Sequence, residues 1–367
     1  MDNFSPSALY QIDKSYLENA EEGPFFKGEL PRRFPPPQSE WHDFLGFRVA
    51  SRLGVAAGPL LNARWIALAA QLGFDLLCYK TIRSRAHPSH PLPNIVFLEN
   101  DGQFSQDELP ASITSCAHPL PPERLAITNS FGNPSRSPHY LRRDIPLAQN
   151  VLYPGQALIV SVFGTPGNDP KDFLEDFAKT ACFAKECGAK IIEANFSCPN
   201  VSQHEGSLYC NPEAVYTFAM RIVQAIGDTP LIIKMGAFPH LSCMKECLLA
   251  AARAGARAIA GINTVSMNIV NPRGEPALGE DRKTSGVCGA PIRKIALDFV
   301  QEARDIIDRE KLSLTLCGGG GITLPEHFDL FFEAGADFAF TAAGMMWDPY
   351  LALNYHLKES YARTAHL

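Results

Sequence analysis

Short apolar segments alternate with longer amphipathic segments from Leu53 onward. Eight of the short segments are nearly continuous apolar runs, which is typical of parallel strands covered on both faces. They span residues 53–57, 74–80, 157–163, 189–195, 231–235, 258–263, 312–317 and 337–342. The segments between them have helical periodicity, and several end at a glycine, a common helix stop signal. These glycines are Gly73, Gly188, Gly255 and Gly335.

Eight βα units predict an α/β fold of the (β/α)8 TIM-barrel type. The alternative is a doubly wound sheet, which requires a GxGxxG turn after a strand, and the sequence has none. The long connections 81–156 and 264–290 predict long loops on the active-site face. We predict that the apolar run 125–128 lies outside the barrel. Residues 323–326 predict a capping box at the start of a helix.

The first 45 residues differ from the rest of the chain. They contain the run PRRFPPP at residues 31–37 and show no clear periodicity. We therefore divide the chain into an extended amino-terminal arm, residues 1–45, and a barrel domain, residues 46–367. The arm either packs on the barrel or hangs from it.

Composition excludes several classes of function. The chain has 33 basic and 39 acidic residues and a net charge of −6, so no nucleic-acid partner is expected. No apolar run approaches the roughly 18 residues of a membrane span. None of the ten cysteines forms a CxxC pair, so neither a metal cluster nor a disulfide scaffold is expected. A cytoplasmic location fits this pattern.

Polar residues cluster where the predicted strands end, and these ends converge on one rim of a barrel. Carboxamides offer a donor and an acceptor together, which suits a planar ligand edged with carbonyl and N–H groups. The residues concerned are Lys80, Thr81, Asn195, Asn200, Lys234, Asn263 and Thr264, with Asn129 in the first long connection. A small-molecule ligand at this rim is the resulting prediction.

Four consecutive glycines, Gly318 to Gly321, follow the seventh predicted strand. They form either a tight turn or a phosphate site, and their position after strand seven of a barrel favours phosphate. Cys198 lies in a polar setting before Pro199, unlike the cysteines in apolar runs. It is a candidate nucleophile or general base, and the residues alone leave both roles open.

The string Asn195-Phe-Ser-Cys-Pro-Asn200 resembles the N-x-S-C-P-N signature of the dihydroorotate dehydrogenase family. Further motifs follow in the order of that family over residues 46–355. They are Val55 to Gly58, Tyr79 to Thr81, Thr128 to Gly132, Lys234, Gly261 to Thr264, Ser285 to Gly289 and Cys317 to Ile322. The cysteine and the strand-two lysine resemble the soluble branch, in which a homodimer is one known form.

This resemblance implies FMN across the top of the barrel and dihydroorotate beside it. Cofactor contacts would come from Ala57, Gly58, Lys80, Thr81, Asn195, Lys234, Asn263, Gly286, Gly320, Gly321, Ala342 and Ala343. Substrate contacts would come from Lys80, Asn129, Phe131, Gly132, Asn195, Asn200, Asn263 and Thr264. Cys198 would be the catalytic base, with Lys80 beside the reacting atoms, and hydride would leave for flavin N5.

The chain also departs from the family pattern. Asn94 stands after Pro93, where the family usually has Arg. Pro88-Ser-His90 replaces the Gly-Asn-Pro that opens this stretch in the family. Ala343 stands where the family has a threonine near the phosphate. An FMN enzyme acting on another dihydropyrimidine or cyclic amide is therefore the alternative. Outside flavin chemistry, the alternatives are a barrel lyase forming a Schiff base through Lys80 or Lys234, or a non-catalytic subunit.

Overall fold

Eight parallel strands close into a barrel, and each overlaps one of the eight segments predicted to be strands. The computed structural model describes residues 8–33, 35–167, 169–197 and 207–365. In barrel order the strands, numbered along the chain, are β3 (Leu53–Val55), β4 (Leu76–Ile82), β8 (Ala157–Val162), β9 (Ile191–Asn195), β10 (Leu231–Lys234), β11 (Ala258–Gly261), β14 (Thr315–Gly319) and β15 (Phe338–Thr341). Strand β15 pairs with β3, which confirms the (β/α)8 prediction and excludes a doubly wound sheet.

Helices alternate with the barrel strands, and most lie within segments predicted to be helical. They are α2 (Ala63–Gln71), α4 (Pro170–Glu186), α5 (Pro212–Ile226), α6 (Leu241–Arg253), α7 (Arg293–Arg309) and α8 (His327–Glu333). The four glycines predicted to stop helices all have positive φ, between 93° and 105°. Helices α3 (Pro138–Asn150), α9 (Ala343–Trp347) and α10 (Leu351–Ala365) were not predicted.

The prediction of a capping box at residues 323–326 is wrong. Helix α8 begins at His327, and its N-cap residue Glu326 makes no capping hydrogen bond through its side chain. Instead, Nδ1 of His327 accepts hydrogen bonds from the backbone N–H groups of Thr323 (3.2 Å) and Leu324 (3.1 Å). Burial and the nearby Arg293 lower the pKa of His327 to about 4, so the ring is neutral and Nδ1 can accept.

A hairpin of β1 (His42–Phe44) and β2 (Phe47–Val49) packs on the barrel interior. Its Phe44 ring meets Phe338 of β15 edge to face at 4.7 Å between centroids. The packing joins the hairpin to the inward-facing apolar layer of the barrel, which leaves the carboxyl ends of the strands for function.

Five strands from the two long connections form a second, smaller closed barrel. They are β5 (Phe97–Leu98), β6 (Ser112–Cys116), β7 (Ala126–Asn129), β12 (Val265–Val270) and β13 (Thr284–Gly289). The run 125–128 overlaps β7 and lies outside the main barrel, as predicted. The closure of these strands into a barrel of their own was not predicted.

The described part of the arm packs on the barrel rather than hanging from it. It is not extended throughout, because α1 (Tyr16–Glu22) forms behind a capping box between Ser15 and Glu18. The N–H of Leu9 donates to the carbonyl of Met346 in α9 (2.8 Å), and Asn62 donates to the carbonyl of Ala20 (2.6 Å). None of the helices described is long and apolar enough to cross a membrane.

Candidate active site

A cavity lies between the carboxyl ends of the eight-stranded barrel and the five-stranded barrel. Most of the predicted site residues line it, namely Ala57, Gly58, Lys80, Thr81, Asn129, Phe131, Asn195, Lys234, Asn263, Thr264, Gly320, Gly321, Ala342 and Ala343. Gly132 follows the lining residue Phe131, and Gly286 pairs with Asn129 across β13 and β7, so both border the lining. Cys198 and Asn200 lie outside the described residues.

Two lysines on inward-facing strand positions supply positive charge to the cavity. Lys80 of β4 is 9% exposed and Lys234 of β10 is 7% exposed. Burying a cation is costly unless an opposite charge or a set of dipoles compensates it. Lys234 makes no ion pair within the described part of the chain. An anionic or electron-rich ligand would therefore be favoured beside it.

Hydrogen bonds fix the orientation of two carboxamides at the ends of β9 and β11. Asn195 Oδ1 accepts from the N–H of Ser197 (3.2 Å) and from Nδ2 of Asn263 (3.3 Å). Asn263 Nδ2 also donates to the carbonyl of Ser197, and its Oδ1 accepts from the N–H of Thr264 (2.9 Å). Residues Ser197 and Ser207 form an isolated antiparallel bridge. These bonds hold Ser197, the residue before Cys198, against two carboxamides that line the cavity.

Three buried polar groups in the cavity wall have no hydrogen-bond partner among the described residues. They are the Thr264 hydroxyl, the Asn133 Nδ2 group and the Tyr10 hydroxyl. Leaving a buried polar group unpaired costs about 1–3 kcal/mol. Three such groups around one cavity therefore indicate a polar ligand that supplies the missing partners.

The glycine run after β14 curves around one end of the cavity. Gly320 and Gly321 have φ of 125° and 83°, conformations that other residues rarely adopt. A Cβ on Gly321 would lie 2.6 Å from Cβ of Arg293, whose buried guanidinium donates to the Gly321 carbonyl (3.1 Å). A cation thus lies directly behind the predicted phosphate turn, although the sequence analysis did not select Arg293.

Cys288 is the one described cysteine among the residues that line the cavity. Burial raises its pKa to about 12, although the charge of Lys234 opposes the rise. Its thiol hydrogen therefore stays in place at neutral pH, and the Sγ atom lies 3.5 Å from the Ile127 carbonyl. This environment makes Cys288 a poor base.

Asn94, which stands where the family usually has Arg, holds two loops together through its side-chain hydrogen bonds. It is 1% exposed, and its Nδ2 group donates to the carbonyls of His90 (3.0 Å), Pro91 (3.2 Å) and Ser130 (3.1 Å). It therefore ties the segment after β4 to the loop that carries Phe131.

Sequence reasoning missed several residues of the site. Asn133 could have been found, because it directly follows the family-like motif Thr128 to Gly132. Cys288 lies within the family-like motif Ser285 to Gly289 but was not among the predicted site residues. Tyr10 and Tyr16 of the arm line the cavity although neither carried a recognisable signal, since the arm has no periodicity.

The fold and the cavity define an α/β-barrel protein with a buried, positively charged site for a polar ligand at the carboxyl ends of its strands. The family model for dihydroorotate dehydrogenase matches residues 123–352. A dihydroorotate dehydrogenase of Dictyostelium discoideum is 47% identical over 357 residues, covering 95% of this chain and 96% of that protein. The chain belongs to the dihydroorotate dehydrogenase family, whose members are in general flavin-dependent oxidoreductases.

Two other relatives match about half of the chain. The NAD-dependent dihydropyrimidine dehydrogenase subunit PreA of Escherichia coli is 32% identical over 53% of this chain and 46% of its own length. Dihydroorotate dehydrogenase A (fumarate) of Limosilactobacillus reuteri is 29% identical over 54% of this chain and 59% of its own length. The match to the Dictyostelium protein, by contrast, includes nearly the whole chain.

Proposed function

We propose that this protein oxidises dihydroorotate to orotate with FMN as its cofactor. The observation that carries the proposal is the 47% identity to a dihydroorotate dehydrogenase across nearly the full length of both chains. The cavity supports it, because buried lysines and unpartnered polar groups suit a pyrimidine that bears a carboxylate.

The described residues fit a flavin mononucleotide. A Cβ added to Gly58 would meet nothing within 4 Å, so the backbone there borders open space of the kind a flat ring needs. Gly320, Gly321, Ala342 and Ala343 would hold the phosphate, and Arg293 adds positive charge behind them. Ala57, Thr81, Asn195, Asn263 and Gly286 complete the proposed cofactor set. When bound, FMN supplies the acceptor for the hydride from C6 of the substrate.

Lys234 and Lys80 have separate roles in this proposal. Lys234 would face the carbonyl edge of the flavin ring and stabilise the negative charge that reduction places there. Lys80 would lie between cofactor and substrate. Asn129, Asn195, Asn200, Asn263 and Thr264 would bind the pyrimidine, and the backbone at Phe131 and Gly132 would bind its carboxylate.

Cys198 is the proposed general base. Its thiolate would take the proton from C5 of dihydroorotate, while the C6–H bond breaks with its electron pair, so the C5–C6 double bond of orotate forms. A thiol suits this role at neutral pH because its ordinary pKa, about 8.5, lies far below that of a hydroxyl. Support comes from the preceding residue, Ser197, whose N–H donates to Asn195 and whose carbonyl accepts from Asn263, two residues that line the cavity.

An anaerobic titration of the purified protein with dihydroorotate tests the proposal. We expect the visible flavin bands to bleach promptly in the wild-type protein. In Cys198→Ala we expect normal flavin content and reduction slowed at least roughly 100-fold, the scale of lost general-base catalysis. Cys182→Ala, a change on α4 that leaves the cavity intact, serves as the matched control.

Three results would contradict the proposal. A flavin that stays oxidised with dihydroorotate overturns the substrate assignment, and reduction by dihydrouracil or dihydrothymine in the same titration would establish the alternative. That alternative is favoured by the similarity to a dihydropyrimidine dehydrogenase subunit. Unchanged reduction in Cys198→Ala removes Cys198 from the role of base. A colourless protein trapped on a lysine by borohydride would instead favour the Schiff-base lyase.

The same proposal divides the chain into an arm (1–45) and an FMN-binding barrel (46–367). It also includes a homodimer and a cytoplasmic location, and both of these rest on the family resemblance. Light scattering coupled to size-exclusion chromatography measures the oligomeric state. A monomeric mass would contradict the dimer.

A further inference from the structure

The wall of the cavity includes two residues from the amino-terminal arm. Tyr10 and Tyr16 are 3% and 5% exposed, and both line the cavity with the residues of the strand ends. No other part of the chain described before β3 contributes to the lining. The arm is therefore a component of the site as well as a packing element.

Both tyrosines contact Phe131, which lies in the loop after β7. The ring of Tyr10 meets Phe131 edge to face at 5.9 Å between centroids, and the ring of Tyr16 does so at 6.1 Å. Such pairs add to the hydrophobic gain of burial and depend on geometry. Asn94 also holds this loop, because its Nδ2 group donates to the Ser130 carbonyl, so the loop contacts both the arm and the segment after β4.

The Tyr10 hydroxyl is buried and has no hydrogen-bond partner in the part of the chain that the structure describes. Burial and the neighbouring Tyr16 raise the pKa of Tyr10. Tyr10 lines this cavity together with Tyr16, and it also borders a second cavity with Phe97, Trp347 and Asp348. The hydroxyl is thus a protonated donor without a partner among the described residues, on a residue that lines the proposed active site.

We propose that the arm closes the pyrimidine end of the site. In this arrangement the Tyr10 hydroxyl donates a hydrogen bond to an oxygen of the bound pyrimidine. The rings of Tyr10 and Tyr16 hold the loop at Phe131 in its binding position. This inference rests on the proposed function, and Tyr16 acts in it as a positioning residue, because its contact with the substrate runs through Phe131.

The test compares Tyr10→Phe, Tyr16→Ala and a matched control, Tyr153→Phe. Tyr153 lies on the surface, and its hydroxyl donates to Gln71 on the outside of the barrel. For each variant we would measure flavin content, the Kd of orotate from flavin difference spectra, the KM for dihydroorotate and the flavin reduction rate at saturating substrate.

We expect Tyr10→Phe to raise the Kd of orotate roughly fivefold to tenfold, the effect of one neutral hydrogen bond. We expect Tyr16→Ala to raise the Kd and the KM at least tenfold. Flavin content and the reduction rate at saturation should stay within about twofold of wild type, and Tyr153→Phe should match wild type. If the two tyrosines only stabilised the fold, their substitution would not raise the KM while leaving the reduction rate at saturating substrate unchanged.

Three results would overturn the inference. Unchanged Kd and KM in both arm variants would show that the arm does not act on the pyrimidine. Loss of flavin with unchanged pyrimidine affinity would place the tyrosines at the cofactor instead. A wild-type protein that dihydroorotate does not reduce refutes the proposed function, and the inference with it. The wild-type titration separates this case from the other two.

Discussion

Lys234 combines burial, positive charge and the lack of an ion-pair partner among the described residues. These properties were partly readable from the sequence, because a lysine interrupts the apolar run of β10. The sequence could not show that the side chain is 7% exposed or that its charge acts on the thiols of Cys78 and Cys288. Those properties arise only when distant strands meet in the barrel.

A prediction about Lys234 follows from its charge. We expect Lys234→Met, which keeps the length of the side chain, to lower the two-electron reduction potential of the bound flavin by at least about 30 mV. That shift corresponds to about 1.4 kcal/mol of lost stabilisation of the reduced form. Dye-coupled anaerobic reduction measures the potential. Lys294→Met, on the exposed surface of α7, is the control, and equal potentials in all three proteins would contradict the role of Lys234.

Asp348 and His327 give the fold opposite dependences on pH. Burial raises the pKa of Asp348 to about 6, so ionisation of this carboxyl destabilises the fold as pH rises from about 4 to 6. Burial and Arg293 lower the pKa of His327 to about 4, so its protonation destabilises the fold as pH falls from about 6.5 to 4. The two contributions oppose each other over the same range.

The variant Asp348→Asn separates these contributions. We expect it to exceed wild type in unfolding free energy by about 2–3 kcal/mol at pH 7.5, where wild type must bury a charged carboxylate. At pH 4 the two proteins should be equally stable, because the carboxyl is then protonated in the folded protein. Urea unfolding at both pH values measures the difference. A constant difference between the variant and wild type would contradict the raised pKa.

At the level of secondary structure, the local sequence pattern predicted the strands of the main barrel but missed helix α3 and the five-stranded barrel. The eight strands were readable because each is an apolar run buried on both faces. Helix α3 was missed although Ser137 and Pro138 form a start signal, with the Ser137 hydroxyl accepting from the N–H of Tyr140 (3.3 Å). The five-stranded barrel was missed because it joins short strands from two connections far apart in sequence.

Asn19 is the residue that shapes the arm around α1. It is fully buried, and its Nδ2 group donates to the carbonyls of Gln11, Lys14 and Ser15 at 2.9–3.0 Å. Its Oδ1 accepts from the N–H of Gln11 (2.9 Å). These bonds fix the turn between Tyr10 and Tyr16, which no periodic signal in the sequence reveals.

We expect Asn19→Ala to release this turn without unfolding the barrel. Proteolytic cleavage within residues 8–33 should accelerate at least tenfold, and the KM for dihydroorotate should rise, while far-ultraviolet circular dichroism stays unchanged. Mass spectrometry of the fragments locates the cleavage. The exposed Asn150→Ala, at the end of α3, is the control. A cleavage rate equal to wild type would show that Asn19 does not hold the arm.

At the scale of the whole molecule, the candidate site depends on residues from nearly every part of the chain. The strand-end residues could be selected from the sequence because a barrel brings all its carboxyl ends to one rim. Asn133 and Arg293 escaped selection because their roles depend on contacts across that rim. Tyr10 and Tyr16 escaped because the docking of the arm on α9 is a contact between segments remote in sequence.

The hydrogen bond from Leu9 to Met346 determines how late in synthesis the arm can dock. The arm leaves the ribosome well before α9, its docking partner, because nearly the whole barrel lies between them in the sequence. Until α9 has been synthesised, the aromatic side chains of the arm therefore lack their final contacts. A nascent chain can complete the wall of its active site only after α9 has left the ribosome.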